Sequence, residues 1–281
     1  MVLLASASRF ASAQGQNDGR SSEPSTAPSA PGPGAQVQPG SPWKRLPGYL
    51  WDDQKAIWTS PFRASRQNVK WWVVFGSVTA GLIATDEWTS KQLPNTNSQV
   101  SVSTWASRFG QIYVLAPAAA GLYTLGAKRD NDRLRETGLM ALEALADSAI
   151  VTEVLKAATQ RQRPLEGTGE GGFWQGKGRI WNSGASFPSG HAIETWTMAS
   201  VIAHEYPHPR IIPVLVYAYA MGVNAARFAA RRHFASDIMA GAAMGWFIGE
   251  YTYTKRHSAD IDEQQSAFRR ALAHVHFGGL Q

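Results

Sequence analysis

Apolar residues recur along much of the chain at helical spacing, in segments separated by charged, glycine-rich or proline-containing breaks. The segment 133–160 carries leucine, isoleucine or valine at positions 134, 139, 142, 145, 150, 154 and 155. Side chains three or four residues apart fall on one face of an α-helix, and these positions follow that spacing in part, so this segment predicts one long helix. The same reasoning predicts further helices over 52–59, 71–85, 104–126, 190–206, 211–226, 235–253 and 260–273.

These segments predict an all-α protein. With 281 residues, of which 44% are hydrophobic, the chain is long enough to bury one sizeable core. We therefore expect a single helical bundle of about six or more helices. The motifs described below fall at predicted helix ends and in loops, which would place a functional site at one end of the bundle.

The lengths of the apolar segments bear on whether the bundle crosses a membrane. The segment 71–85 is apolar for fifteen residues, 104–126 is interrupted by polar residues and a proline, and 211–226 runs for sixteen residues. A spanning helix needs about 20 largely apolar residues, and the mean hydropathy of the chain is only −0.25. We favour a soluble or peripheral bundle. A polytopic membrane protein is the alternative, supported by eleven tryptophans.

The N-terminal 42 residues differ in composition from the rest. Residues 1–13 are apolar and then small, which fits a truncated signal peptide or a small-residue tail. Residues 14–42 are rich in Ser, Pro, Gly, Ala and Gln and predict a disordered linker. The helical domain is therefore expected over 43–281. Its aromatic start, 43–66, favours packing across the bundle, with contact to a membrane surface as the alternative.

Charge and cysteine content narrow the functional classes. A net charge of +6 and a pI of about 9.6 suit an anionic partner such as a phosphate ester or an acidic lipid headgroup. Without a long Lys/Arg run or a familiar nucleic-acid module, a nucleic-acid partner is not expected. The chain has no cysteine, which excludes disulfides, thiol catalysis and cysteine-based zinc sites.

Three short clusters carry the candidate chemistry. In the first, Lys156 and Arg163 are seven residues apart, so a continuous helix ended by Pro164 would present both cations on one face. Such a pair forms half of a dianion site. The alternative for two cations alone is a solvated charged face.

The second cluster is the run Pro188, Ser189, Gly190 and His191, which precedes an apolar segment. Proline and serine at that place predict a helix start, whose free N–H groups and positive dipole end suit phosphate oxygens. Ser189 adds a hydroxyl, and Gly190 lets the backbone approach closely. An ordinary helix cap with an incidental surface histidine is the alternative.

The third cluster is Arg227, His233 and Asp237. A histidine and an aspartate at positions i and i+4 can meet on a helix face. The carboxylate then orients the imidazole and leaves its other nitrogen free to attack. A surface pair, or part of a metal site, is the alternative.

In this order the clusters read Lys-x6-Arg-Pro, Pro-Ser-Gly-His and Arg-x5-His-x3-Asp. They resemble the three-part motif of the type 2 phosphatidic acid phosphatase (PAP2) superfamily, which includes lipid phosphatases, bacterial acid phosphatases and vanadium haloperoxidases. The resemblance covers roughly residues 134–255. One departure is Ala226, where the family usually has serine, which removes about 1 kcal/mol of hydrogen bonding and no charged group.

The resemblance implies a role for each residue. His233 is the expected nucleophile, with Asp237 fixing its tautomer, and His191 is the expected general acid and base. The phosphate is expected to be held by the remaining motif residues, Lys156, Arg163, Ser189, Gly190 and Arg227. Since fixed cations would take the place of Mg²⁺, no metal and no cofactor are expected.

The function that follows is hydrolysis of phosphate monoesters, or of lipid phosphates and pyrophosphates, through a phosphohistidine. Two alternatives stay open: a vanadate-dependent haloperoxidase, and a non-catalytic phosphate-binding protein of the envelope. The family often works outside the cytoplasm, so the resemblance favours the cell envelope, on its periplasmic or extracytoplasmic side. Membrane association is expected there, with an integral membrane protein as the alternative.

Overall fold

The computed structural model describes residues 42–63, 65–175 and 185–257. Within these ranges the chain is all-α, as predicted, with eight α-helices, two short 3-10 helices and no strand. The α-helices are α1 (Pro42–Thr59), α2 (Arg66–Gln92), α3 (Asn97–Ser107), α4 (Ile112–Lys128), α5 (Asp132–Thr159), α6 (Gly190–Glu205), α7 (Ile211–Ala229) and α8 (Ala235–Arg256). The 3-10 helices are Ser60–Arg63 and Arg108–Gly110. The predicted N-terminal linker and the predicted helix 260–273 lie outside the described residues.

One predicted helix, 104–126, is wrong, because the structure divides it into α3, a 3-10 turn and α4. The division falls at Gly110, which is buried against α6 and α7. A Cβ at this glycine would lie 2.4 Å from Val223 Cγ1 and 2.9 Å from Thr195 Cγ2, so the backbone approaches those helices more closely than any side chain allows. Gln111 then takes an extended conformation before α4 begins.

Helix α2 is longer than predicted. It runs on past position 85, so that Asp86 lies inside the helix instead of ending it. The Asp86 side chain is fully buried. A buried carboxylate needs partners, and those partners belong to the functional site described below.

The bundle is centred on α5, α6 and α8. Helices α6 and α8 are in close contact because glycines face α6: a Cβ at Gly245 would lie 2.2 Å from the Ile193 carbonyl oxygen, and one at Gly249 would lie 2.5 Å from that of Thr197. This close approach holds the start of α6 against the start of α8. The surrounding core consists of Leu115, Ala119, Met140, Ala141, Ala144, Leu145, Val151, Ile193, Val201 and Ile248.

The outer helices expose large apolar side chains. Helix α7 is three residues longer than predicted and has a mean hydropathy of 1.4. Among the described residues it alone is long and apolar enough to cross a membrane, and only 22% of its apolar stretch is buried. Exposed apolar residues on α2, α3, α4 and α7 include Val69, Trp71, Val73, Val74, Val78, Trp88, Val102, Trp105, Ile112, Tyr113, Leu125, Ile211, Val214, Leu215, Tyr219 and Met221.

Candidate functional site

The start of helix α6 forms one wall of the site. Ser189 is the N-cap residue, and its hydroxyl oxygen accepts a hydrogen bond of 3.4 Å from the Ala192 N–H. Gly190 opens the helix, and a Cβ there would lie 3.5 Å from Lys156 Nζ. The absence of a side chain at this position therefore brings the Lys156 ammonium close to the α6 N-terminus, where N–H groups point outward.

The prediction that Lys156 and Arg163 share a helix face is wrong. Helix α5 ends at Thr159, and Gln160 adopts the left-handed conformation, with φ 40° and ψ 44°, so the helix stops four residues before Arg163. Arg163 lies in the following turn, where its N–H donates to Glu166 Oε2. The two cations nevertheless act on one another: burial lowers the pKa of Lys156, and the charge of Arg163 lowers it further against the opposing effect of Glu153.

His233 and Asp237 also meet in a different way from the predicted helix-face pair. Phe234 is the N-cap of α8, so His233 lies before the helix and Asp237 in its first turn. His233 Nδ1 lies 2.8 Å from the Ser186 carbonyl oxygen and 3.7 Å from Asp237 Oδ2. The ring N–H therefore donates to Ser186. The carbonyl fixes the tautomer at shorter range than the carboxylate does, which corrects the role expected of Asp237.

The other nitrogen of His233 faces the cationic wall. Its Nε2 atom lies 3.4 Å from an Arg227 terminal nitrogen. Arg227 is held in turn by the hydroxyl of Ser107, which reaches it from the end of α3 at 3.4 Å. Because Nδ1 carries the proton, Nε2 carries the lone pair and is directed at a region lined by arginine.

Several donors around this region are buried and make no hydrogen bond to any described residue. They are the Nε atoms of Arg163, Arg227 and Arg232, and His191 Nε2 is also buried without a partner. Native structures rarely leave buried donors unsatisfied. A group of them beside an imidazole lone pair is what an anion with several acceptor oxygens would satisfy.

Burial and the neighbouring cations together keep the imidazoles of His191 and His233 neutral. Burial is the main cause in each case, lowering the pKa of His191 to about 2 and that of His233 to about 4. The charge of Arg227 lowers both pKa values, and the charges of Lys156 and Arg163 lower the pKa of His191 further. Asp237 acts on His233 in the opposite direction. Burial also opposes ionisation of Asp237, but His233 and Arg161 outweigh it, so the pKa of that carboxyl lies below its ordinary value.

The structure adds residues that the motifs did not indicate. Arg161 is almost completely buried, and it bonds to both Asp237 and Asp86. Arg232, directly before His233, adds a further positive charge that acts on Arg163 and Arg227. Arg161 stands two residues before Arg163, and that proximity is the only sequence signal for it. Nothing in the sequence around Asp86 or Ser107 indicated that they reach the site.

A cavity of about 510 Å³ borders the site on the side of α3. Arg232 is the neighbour of His233, and Leu165 follows the Arg163–Pro164 pair, so these two residues connect the cavity to the cationic region. The cavity has room for part of a substrate beyond its phosphate. It is lined by Asn95, Asn97, Val100, Ser101, Thr104, Trp105, Arg108, Leu165 and Arg232.

A second group of side chains, of the types that ligate metals, lies elsewhere among the described residues. Glu136, Glu205 and His257 bring their ligand atoms within 4.8 Å of one another. They come from the second turn of α5, the end of α6 and the residue after α8, which is the opposite end of these helices from the site. His257 Nδ1 lies 2.9 Å from Glu205 Oε2, and Arg133 donates to the same carboxylate at 3.0 Å. These contacts tie the three helices together.

Comparison with known proteins finds a family similarity for part of the chain. Residues 137–259 match the family model described as the PAP2 superfamily. Among solved structures, the chain is similar to one described as the first transmembrane PAP2-type phosphatidylglycerolphosphate phosphatase from Bacillus subtilis. That similarity has 16% identity and a TM-score of 0.45, and it covers 77% of this chain and 97% of that one. Residues 137–259, which contain all three motif clusters, are thus similar to the PAP2 superfamily.

Proposed function

We propose that this protein is a metal-independent phosphatase that hydrolyses phosphate monoesters, or lipid phosphates and pyrophosphates, through a phosphohistidine. One observation carries the proposal: the lone-pair nitrogen of His233 faces Arg227 at 3.4 Å, and the buried Nε atoms of Arg227 and of the nearby Arg163 have no protein acceptor. A binding protein for phosphate needs the cations alone. The imidazole nitrogen of His233 is a nucleophile directed at the same cations, and an enzyme that attacks phosphorus needs such a group.

In the first step, His233 Nε2 attacks phosphorus, and the bond from phosphorus to the ester oxygen breaks. His191 gives its proton to the departing alkoxide. In the second step His191 takes a proton from water, the resulting hydroxide attacks phosphorus, and the bond from nitrogen to phosphorus breaks. Phosphate leaves, and both imidazoles return to their starting states.

Fixed positive charge stabilises the phosphoryl group during both steps. The equatorial oxygens gain charge in the transition state, and preorganised donors are most effective where charge develops. Arg163 and Arg227 would bind these oxygens through their unpartnered nitrogens. Lys156 and the N–H groups at Gly190 would bind from the α6 side.

His191 must carry a proton to act as an acid, although its pKa is only about 2 when cations alone surround it. A bound phosphate dianion would reverse this field, because it lies between the ring and the same cations. The general acid would then become protonated only when substrate is present.

The exposed apolar side chains of α2, α4 and α7 support a membrane-associated enzyme of the cell envelope that acts on lipid substrates. Apolar faces of this extent are unfavourable in water and favourable in the acyl region of a bilayer. Phosphatidic acid and polyprenyl diphosphates have the required chemistry, with a phosphate headgroup on an apolar chain.

A substrate panel tests the proposal. Purified protein is assayed for phosphate release from p-nitrophenyl phosphate, glycerol 3-phosphate, phosphatidic acid and a polyprenyl diphosphate, with His233→Ala as the matched control. We expect release from at least one ester by the wild type alone, unchanged by EDTA and competitively inhibited by vanadate. Phosphate binding without hydrolysis of any ester would contradict the proposal. So would peroxide-dependent halide oxidation with added vanadate.

A further inference from the structure

Arg161 joins two carboxylates behind the proposed nucleophile. One terminal nitrogen lies 2.7 Å from Asp237 Oδ1, and the other lies 2.8 Å from Asp86 Oδ2. Its Nε donates to the Gly171 carbonyl oxygen at 3.0 Å. The guanidinium also contacts two aromatic rings, with its carbon 4.9 Å from the Phe173 centroid and 4.4 Å from that of Phe234. All three nitrogens are therefore hydrogen-bonded, which fixes the group in one orientation.

Asp86 reaches this place from α2, which lies outside the residues matched by the family model. One oxygen accepts from the Ser236 N–H at 3.1 Å, and the other accepts a short hydrogen bond from the Ser236 hydroxyl. Asp237 accepts from the Phe234 N–H at 2.8 Å. Both carboxylates thus lie at the N-terminus of α8, where free N–H groups and the helix dipole favour negative charge.

The charges of this group have a consequence for His233. If Arg161 were paired with Asp237 alone, the pair would be neutral and would do little to stabilise positive charge on the imidazole. The second carboxylate, Asp86, leaves the group of three with a net charge of −1. When His233 is phosphorylated its ring becomes cationic, and a net negative group 3.7 Å away lowers the energy of that state.

We infer that Asp86 and Arg161 are positioning residues of the reaction: they hold Asp237 beside His233 and keep a net negative charge behind the attacking ring. The inference rests on the proposed function, in which His233 is the nucleophile. Neither residue touches the phosphate region, where the unpartnered donors are. Their effect should therefore fall on the chemical step and leave substrate binding almost unchanged.

A purely structural role is the rival explanation, because breaking a buried ion pair generally lowers stability. The chain offers a matched control at the other end of α8. There Arg256 joins Asp53 at 2.7 Å and Glu143 at 2.6 Å, so a second arginine, itself half-buried, bridges two buried carboxylates. Arg256 lies twenty residues beyond Ser236 on the same helix, roughly 30 Å away.

The experiment compares pH profiles of kcat/KM and kcat for the wild type, Asp86→Asn and the control Asp53→Asn. In Asp86→Asn we expect kcat to fall about 10- to 100-fold with KM changed less than about threefold. We also expect the acidic limb of the kcat/KM profile to move to lower pH. The protonated form of His233 loses a stabilising negative charge, so the pKa of its ring falls. Asp53→Asn should lower the melting temperature and leave kcat and the acidic limb at their wild-type values.

A double variant, Asp86→Asn with Arg161→Gln, removes one negative and one positive charge together. Asp237 then supplies the net charge of −1 by itself, so the acidic limb should return to its wild-type position although kcat stays low. The other groups facing His233 do not change in these variants: the charged Arg227 on α7 and Arg163 after α5, and the titratable His191 on α6. If Asp86→Asn does not fold, the double variant is compared directly with the wild type.

An unshifted acidic limb in folded Asp86→Asn, or the same shift in Asp53→Asn, would overturn the inference. So would a folded double variant whose limb lies well away from that of the wild type. Histidine-labelled NMR spectra of wild type and Asp86→Asn, with His233 assigned by its loss in His233→Gln, test the charge effect without substrate. They separate a failure of this inference from a failure of the proposed phosphatase activity.

Discussion

His233 Nδ1 lies 2.8 Å from the carbonyl oxygen of Ser186, closer than its 3.7 Å distance from Asp237 Oδ2. A backbone carbonyl thus orients the ring, and the carboxylate acts mainly through its charge. The Asp237 carboxylate is in turn held by the Ser186 hydroxyl at 2.5 Å. Ser186 therefore contacts both members of the pair, one through its main chain and one through its side chain.

We predict that His233→Ala lowers kcat by at least about 10³-fold, because no other group is oriented for attack. Initial rates on the best ester of the panel measure this. His204→Ala is a suitable control: His204 lies thirteen residues beyond His191 on α6, roughly 20 Å away, and bonds to the Ser200 carbonyl oxygen. Substantial turnover in purified His233→Ala would contradict the assignment of the nucleophile.

The loss of activity in His191→Ala should depend on the leaving group. An alkyl alkoxide needs a proton as it departs, so rates on alkyl phosphates should fall about 10²- to 10⁴-fold. The p-nitrophenolate ion leaves without a proton, so its ester should lose far less in the phosphorylation step. Single-turnover rates on both esters measure the difference. An equal loss on the two would show that His191 does not act as the acid.

Phosphate binding should raise the pKa of His191 well above its value of about 2 in the empty site. The physical cause is the dianion, whose negative charge offsets the field of Arg227, Lys156 and Arg163. NMR titration of histidine-labelled protein with and without saturating phosphate follows the His191 ring. A ring that stays neutral at pH 5 with phosphate bound would count against this coupling.

The stability of the protein should fall as the pH drops from about 6.5 to about 4. The pKa of His233 is lowered to about 4 in the fold, whereas an exposed histidine titrates near 6.5. Between these values the unfolded chain binds the proton more readily, so folding loses on the order of 3 kcal/mol across the window. Urea unfolding at several pH values measures the slope. His191, whose pKa is lowered to about 2, adds a slope of the same sign, so His233→Gln should reduce the slope without removing it. An unchanged slope in His233→Gln would disagree.

We predict that the protein partitions with membranes and that the apolar face of α7 contributes to this. Val214 and Leu215 are 60% and 59% exposed, so charging both as Val214→Glu and Leu215→Glu leaves the core intact. The double variant should move toward the detergent-free soluble fraction, because charged side chains are costly in the acyl region. Sedimentation of the wild type with the soluble fraction would contradict the prediction.

Much of the helical framework could be predicted because apolar spacing is a local signal. The predicted segment 133–160 begins and ends one residue later than α5, and the predicted segment 190–206 ends one residue later than α6. The division at Gly110 could not be predicted, since it depends on contact with Val223 and Thr195 from distant helices. Local rules also failed at Gln160, where a non-glycine residue takes a left-handed conformation.

The motif residues of the site could be chosen from the sequence, but their geometry could not. Lys156 and Arg163 are neighbours through a turn, and His233 contacts Asp237 across a helix start. Asp86 was the hardest to foresee, because its partners Arg161 and Ser236 lie 75 and 150 positions away. Spacing in sequence predicts which side chains meet only when they lie on one element. Asp86, Arg161 and Ser236 lie on α2, after α5 and on α8.

The most direct test is to trap the phosphorylated enzyme. Wild-type protein is mixed with substrate labelled at phosphorus and quenched after milliseconds in alkaline denaturant, which preserves phosphohistidine, and the labelled peptide is then mapped by mass spectrometry. The account predicts label on the imidazole of His233, and accumulation of that label in His191→Ala when the ester has a good leaving group. Turnover with label on His191, or with no labelled histidine at any time, would contradict it.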